Sequence, residues 1–305
     1  MILTVTPNPA VDVTWIVDRI EIGGTHRADA GAVRAGGKGL NVARVAHAAG
    51  ADARAVATVG GATGDELRAD LEAGGVPHRL IQVAAPTRRS AAWVDRALGD
   101  TTIVNERGSN PSGDEWERVV AACREEVAAA SVLVIAGSLP PGAPTALLPE
   151  LIALGSGIDV VVDTSGPGLL AAADAGVAVL KPNRAELVEA TGIADPVAGA
   201  RELLRRGAGL VLLSLGADGL CALTAADQLR ARLPEPLAGN PTGAGDAAVA
   251  AAACLLDAGI RDTETILRRA AAWSAAAVLM PLAGEISPRW RELKNALIVE
   301  KLSAP

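Results

Sequence analysis

Short apolar runs rich in Val, Ile and Leu recur along the first two-thirds of the chain, at Ile2–Thr6, Arg54–Val59, Val132–Ala136, Val160–Asp163, Val177–Leu180 and Leu210–Leu215. Helix-like stretches separate them, notably Leu40–Ala49, Asp65–Ala73, Asp114–Ala130, Thr145–Leu154, Arg184–Thr191 and Pro196–Arg206. Strands and helices in alternation predict an α/β fold with a mostly parallel sheet covered on both faces. After Leu215 the pattern changes to a hairpin around Ala222–Leu233 and two alanine-rich helices, Ala247–Ala258 and Thr263–Leu279. Two segments break the alternation. Val11–Val33 and Ser90–Val104 alternate apolar with polar residues and include Asp18, Arg19, Glu21, Arg27 and Asp29, as edge or small-sheet strands do. The expectation is one domain over residues 1–305, with a small β-sheet lid built from two insertions at about 11–34 and 88–106.

Composition narrows the partners. Phe and Tyr are both 0 and Trp is 5, so the core must be aliphatic and stacking on aromatic rings is nearly unavailable. A net charge of −7 argues against nucleic acid or an anionic membrane as the main partner, because phosphate backbones reward clustered Lys and Arg. A phosphorylated small molecule stays open where basic residues gather locally. Cys123, Cys221 and Cys254 are far apart in apolar surroundings without metal-ligand spacing, and read as reduced core residues of a cytoplasmic protein. Pro7 and Pro9 follow the first strand with no basic region before it, so no signal peptide is read there. The uncharged run Ala247–Leu256 is too short for a bilayer span of ~20 residues.

Two glycine-rich segments carry candidate chemistry. In Asn240-Pro-Thr-Gly-Ala-Gly-Asp246, glycines permit a tight turn and the following helix would direct unpaired N–H groups at an anion. Asp246 reads either as a helix N-cap or as a base beside a phosphate site. Gly36-Gly37-Lys38-Gly39, ahead of Leu40 and Asn41, is not a Walker A loop, since Ala32 and Gly39 stand where that motif needs Gly and Ser or Thr. No G-x-G-x-x-G follows a strand, which lowers the dinucleotide reading. The segment is either a tight strand-to-helix turn or a close backbone approach to a polyhydroxylated ligand hydrogen-bonded by Asn41.

Seven blocks in order resemble the ribokinase-like carbohydrate kinases of the phosphofructokinase B family over nearly the whole length. They are Thr6-Pro-Asn-Pro-Ala-Val-Asp12, Gly36-Gly-Lys-Gly-Leu-Asn-Val-Ala43, Gly137-Ser-Leu-Pro-Pro-Gly142, Asp163-Thr-Ser-Gly166, Lys181-Pro-Asn-Arg-Ala-Glu186, Ser214-Leu-Gly216 and Gly243-Ala-Gly-Asp246. Among subfamilies, the opening, Asp-Thr-Ser-Gly and Lys-Pro-Asn blocks look most like 1-phosphofructokinase and tagatose-6-phosphate kinase.

The resemblance implies a three-layer α/β/α sandwich, ATP and Mg²⁺, and transfer of the γ-phosphate to a hydroxyl of a ketohexose phosphate: fructose 1-phosphate, fructose 6-phosphate or tagatose 6-phosphate. It implies Asp246 as general base, with Gly243, Ala244 and Gly245 forming the anion hole together with the Asp246 amide. Sugar binding falls to Asp12, Gly36, Gly37, Lys38, Asn41 and Ser138, with Arg88 and Arg27 for an acceptor phosphate. Lys181, Asn183, Ser214 and Gly216 would meet the nucleotide, and Glu186, Asn183 and Asp163 would organise the metal through water. A homodimer formed through the lid is expected. Ser90 and Ile103 depart from the family pattern, where Asn and Glu are common. The alternatives are a kinase of an unphosphorylated sugar or nucleoside, and a non-catalytic sugar- or nucleotide-binding regulatory protein.

Overall fold

Val132, Val134 and Ala136 turn to one face of the central sheet, and Leu133 and Ile135 to the other, so one apolar run feeds two separate cores. The structure is a computed structural model and describes residues 1–302. Its strands are β1 (Ile2–Thr6), β2 (Ala10–Val17), β3 (Ala32–Gly36), β4 (Ala53–Val59), β5 (His78–Gln82), β6 (Arg88–Asp95), β7 (Asp100–Asn105), β8 (Val132–Ala136), β9 (Asp159–Asp163), β10 (Val179–Leu180), β11 (Leu210–Ser214), β12 (Leu220–Leu223), β13 (Gln228–Arg232) and β14 (Ile298–Lys301). The helices are α1 (Lys38–Ala48), α2 (Gly61–Ala73), α3 (Gly113–Val127), α4 (Leu147–Leu154), α5 (Pro167–Asp174), α6 (Arg184–Thr191), α7 (Pro196–Arg206), α8 (Ala244–Asp257), α9 (Thr263–Val278) and α10 (Trp290–Ala296).

The large sheet has the order β14-β13-β12-β11-β10-β9-β8-β1-β4-β5. It is parallel from β11 to β5, while β12, β13 and β14 are antiparallel. Residues of α1, α8 and α9 cover one face and residues of α3, α4, α5 and α7 the other, giving the expected three layers. Ten residues of α8 are buried and seven of them are Ala or Val, so this helix lies close to both its neighbours and the sheet. No helix among the described residues is long and apolar enough to cross a membrane.

The second sheet has four strands in the order β3-β2-β6-β7, drawn from two separate parts of the chain. The β2–β6 pair is parallel and the outer pairs are antiparallel. Trp15 stacks on Trp93 across β2 and β6 with centroids 6.0 Å apart. Ile16, Val33, Ile103 and Val104 of this sheet are exposed. Strand β10 has two residues where four were expected, and β5, β14, α5 and α10 had no expected counterpart.

Candidate active site

The carboxyl ends of the parallel strands gather the polar residues, as the topology of an open α/β sheet requires. Asp163 ends β9, Lys181 follows β10, Ser214 ends β11, and the N-termini of α1, α6 and α8 point to the same edge. Asp163 and Lys181 are almost fully buried. Lys38 Nζ donates to Asp163 Oδ1 at 2.8 Å and to Glu186 Oε1 at 3.3 Å, and Lys181 Nζ lies 3.3 Å from Asp163 Oδ2. Burial opposes the Asp163 charge, but Lys181 and Lys38 overcome it and hold the carboxyl below its ordinary range. Burial likewise opposes the Lys38 ammonium, and Asp163 and Glu186 outweigh it to keep the lysine charged.

Asp246 does not cap α8. Gly243 is the N-cap, at φ 82°, and Asp246 lies in the first turn, buried, with Oδ2 accepting from Asn41 Nδ2 at 2.8 Å. Burial and the Asp163 carboxylate push Asp246 up to about 6, against the pull of Lys38, the Asn41 hydrogen bond and Lys181. Of the three amides expected to face an anion, that of Ala244 donates instead to Pro241 O at 3.1 Å, because the loop closes a turn there. The amides of Gly245 and Asp246 have no acceptor among the described residues, as the first turn of a helix leaves them. Gly245 sits close to Lys181: a Cβ there would meet its Nζ at 3.1 Å, so the lysine would have to give way by a few tenths of an ångström.

Asp12 lies on β2 opposite Arg34 of β3 and beside Ser90 of β6. Burial and the charge of Asp246 raise it to about 7, while Arg88, a Ser90 hydrogen bond and Arg34 work the other way. A Cβ on Gly36 would overlap the Asp12 carboxyl, so that close approach is open only to glycine. Gly37, at φ 109°, is the N-cap of α1, whose first residues Lys38 and Asn41 reach Asp163 and Asp246. Asp12, Gly36, Gly37, Lys38, Asn41, Asp163, Lys181, Glu186 and Asp246 thus form one connected cluster.

A cavity of about 630 Å³ adjoins this cluster. Asn183, Ser214, Gly216 and Ala244 line it, and Leu220, Leu237, Ala271, Ala275 and Val278 give it aliphatic walls where other proteins use aromatic rings. Asn183 and Glu186 form a capping box on α6, Glu186 N donating to Asn183 Oδ1 at 2.9 Å and Asn183 N to Glu186 Oε2 at 2.8 Å. Glu186 is therefore engaged on both oxygens. Gly99, in the turn between β6 and β7, and Asp100, the first residue of β7, also reach this cavity, which the lid segments did not foretell.

Arg27 and Ser138 stand apart from the cluster, and Arg88 reaches it only through its charge on Asp12. Arg88 Nε donates to Asn8 Oδ1 at 3.1 Å, Nη2 to Asn8 O at 3.1 Å and Nη1 to Glu106 O at 3.0 Å. One N–H on each terminal nitrogen is left over. Ser138 is exposed, its hydroxyl accepting from Asn8 Nδ2 at 3.3 Å. Arg27 lies exposed on the connection between β2 and β3, with no hydrogen bond or ion pair among the described residues. Asn8 is the hub the sequence reading passed over, and its signal was a polar side chain held between Pro7 and Pro9.

Residues 8–290 match the family described as pfkB family carbohydrate kinase. A 1-phosphofructokinase of Haloferax volcanii is 36% identical over 272 residues, covering 87% of this chain and 87% of that protein. An ATP-dependent 6-phosphofructokinase isozyme 2 of Mycobacterium tuberculosis is 35% identical over 258 residues, covering 82% and 76%. The structure of phosphofructokinase-2 from Escherichia coli in complex with potassium superposes with a TM-score of 0.87 at 30% identity, covering 96% of this chain and 98% of that one.

Proposed function

This chain belongs to the pfkB family of carbohydrate kinases, with the ribokinase-like fold, and is an ATP-dependent sugar kinase; from that premise we propose that its acceptor is a fructose phosphate or a related ketohexose phosphate. The relatives named for fructose-phosphate chemistry support this reading. Asp246 takes the proton of the attacking hydroxyl. The single observation that carries this role is its placement: a buried carboxylate, raised to about 6, in the first turn of a helix whose Gly245 and Asp246 amides have no other partner. A base of that strength is ionised at neutral pH yet still accepts a proton, which contributes ~10²- to 10⁴-fold. The same two amides and Lys181 take up charge on the phosphoryl group during transfer.

Asp12, Asn41 and the Gly36-Gly37 backbone hold the acceptor hydroxyls, with Lys38 between acceptor and donor. Arg88 serves an acceptor phosphate with its two remaining N–H groups, and Arg27 and Ser138 reach the acceptor only if their loops move inward. ATP occupies the aliphatic cavity, with its adenine against Ala271, Ala275 and Val278 and its phosphates toward Ala244 and Asn183.

No group of three or more His, Cys, Asp or Glu among the described residues is placed to hold a metal ion. The donor set fits an ion held mainly by water and nucleotide phosphates, because both carboxylates, Asp163 and Glu186, share the Lys38 ammonium. Mg²⁺ in that position would neutralise phosphate charge. The exposed Ile16, Val33, Ile103 and Val104 support a homodimer through the small sheet, which would act as a lid over the site. Three free cysteines, buried or partly buried, fit a cytoplasmic protein.

One observation favours a second reading, a kinase of an unphosphorylated sugar or nucleoside: much of the Arg88 fork is committed to Asn8 and Glu106. A panel of fructose 1-phosphate, fructose 6-phosphate, tagatose 6-phosphate, free hexoses and nucleosides, read by ADP release, separates the two. Release with a ketohexose phosphate supports the first reading, and release confined to unphosphorylated acceptors overturns it. Silence across the whole panel favours a regulatory protein without turnover.

A further inference from the structure

Both edge strands of the small sheet are tied to one short segment, residues 281–285, β3 directly and β7 through Asn240, and no motif singled that segment out. On the β3 edge, Arg34 Nη1 donates to Ala283 O at 3.1 Å and Nη2 to Glu285 Oε1 at 2.7 Å. On the β7 edge, Thr101 Oγ1 donates to Asn240 Oδ1 at 3.2 Å, and Asn240 Nδ2 donates to Pro281 O at 2.9 Å. The same segment walls in the site. A Cβ on Gly243 would meet Ala283 Cβ at 2.9 Å, and a Cβ on Gly284 would meet Asn41 Oδ1 at 3.1 Å. It therefore lies directly against the N-cap of α8 and against the side chain that holds Asp246.

Arg34 is the stronger of the two fastenings, since its planar fork meets a carbonyl and a carboxylate at once and is largely shielded from solvent. It also stands opposite Asp12 across the β2–β3 pair, so one residue joins the small sheet to the segment that packs against Gly243. We propose that Arg34 is a positioning residue for phosphoryl transfer: by holding residues 281–285 against Gly243 and Asn41, it keeps the anion loop and Asp246 in register with the small sheet. The proposal rests on the kinase reading for its effect on turnover, but not for the latch itself.

Backbone hydrogen exchange on the full chain without substrate tests the latch. In Arg34→Gln, peptides covering 240–247 and 281–287 exchange about ten-fold faster or more, while β9 is unchanged; equal exchange in all three regions overturns the proposal. In turnover, kcat falls ~10- to 100-fold with the Michaelis constant for ATP nearly constant, because misplacement of about 1 Å costs rate and not nucleotide binding. Arg34→Lys, which meets Glu285 or Ala283 O but cannot fork to both, restores part of the loss. An unchanged kcat in Arg34→Gln also overturns it. If that variant does not fold, Glu285→Ala, which leaves the bond to Ala283, decides by the same two readings. A wild-type chain inactive on every acceptor sinks the kinase reading, and exchange alone then judges the latch.

Discussion

Asn41 Nδ2 donates to Asp246 Oδ2 at 2.8 Å, linking the amino-terminal ends of α1 and α8 inside the site. That bond opposes the rise in Asp246 caused by burial and by Asp163. Its loss, in Asn41→Ala, leaves the carboxyl harder to ionise and removes about 1.5–3 kcal/mol of interaction with the charged form. The expected result is a kcat/KM profile whose acid limb moves to higher pH, with turnover at neutral pH down by ~10-fold or more. Measured pH–rate profiles for both proteins check it, and a limb that stays in place would detach Asn41 from the base.

Stability should carry the same signature. Asp246 and Asp12, raised from 3.8 to about 6 and about 7, bind protons more tightly folded than unfolded. Their favourable contribution is complete below pH 3.8 and is lost as pH rises through those folded values. Asp163 runs the other way, stabilising above its ordinary value and losing that effect as pH falls through its lowered one. Asp246→Asn removes the Asp246 titration and eases the rise in Asp12 that the Asp246 charge causes. Relative to wild type, the variant should gain on the order of 2–3 kcal/mol between pH 4 and pH 8. Denaturant titrations at several pH values measure the gap, and a gap independent of pH would contradict the assignment.

The parallel core was legible because buried strands are near-continuous apolar runs and their polar ends fall at one sheet edge. Asp163, Lys181 and Ser214 were readable for that reason. Strand β5, His-Arg-Leu-Ile-Gln, was not, since an edge strand buries little and shows no strong pattern. Strand β14, mostly exposed, escaped for the same reason. In the site, the glycine loops announced themselves, whereas Asn8 and Arg34 act through partners about 99 and 250 residues away that no local spacing encodes. The Pro241 carbonyl that takes the Ala244 amide is only three residues away, a turn that Pro-Thr-Gly permits but does not by itself require.

The aliphatic cavity makes a separate prediction. Ala275 lies on α9 in its wall, and Ala275→Trp places an indole in the space assigned to adenine. The Michaelis constant for ATP should rise about ten-fold or more, a loss of about 1.4 kcal/mol, while that for the sugar phosphate changes little. Initial-rate kinetics with each substrate varied in turn decide this. An effect confined to the sugar phosphate would place the nucleotide elsewhere.

The most direct measurement is fructose-phosphate-dependent ADP release by wild type and Asp246→Asn side by side, with acceptor binding followed by calorimetry. If Asp246 is the base, turnover drops by ~100-fold or more while acceptor affinity stays within a few-fold. Turnover near the wild-type rate in a folded Asp246→Asn protein would contradict the account.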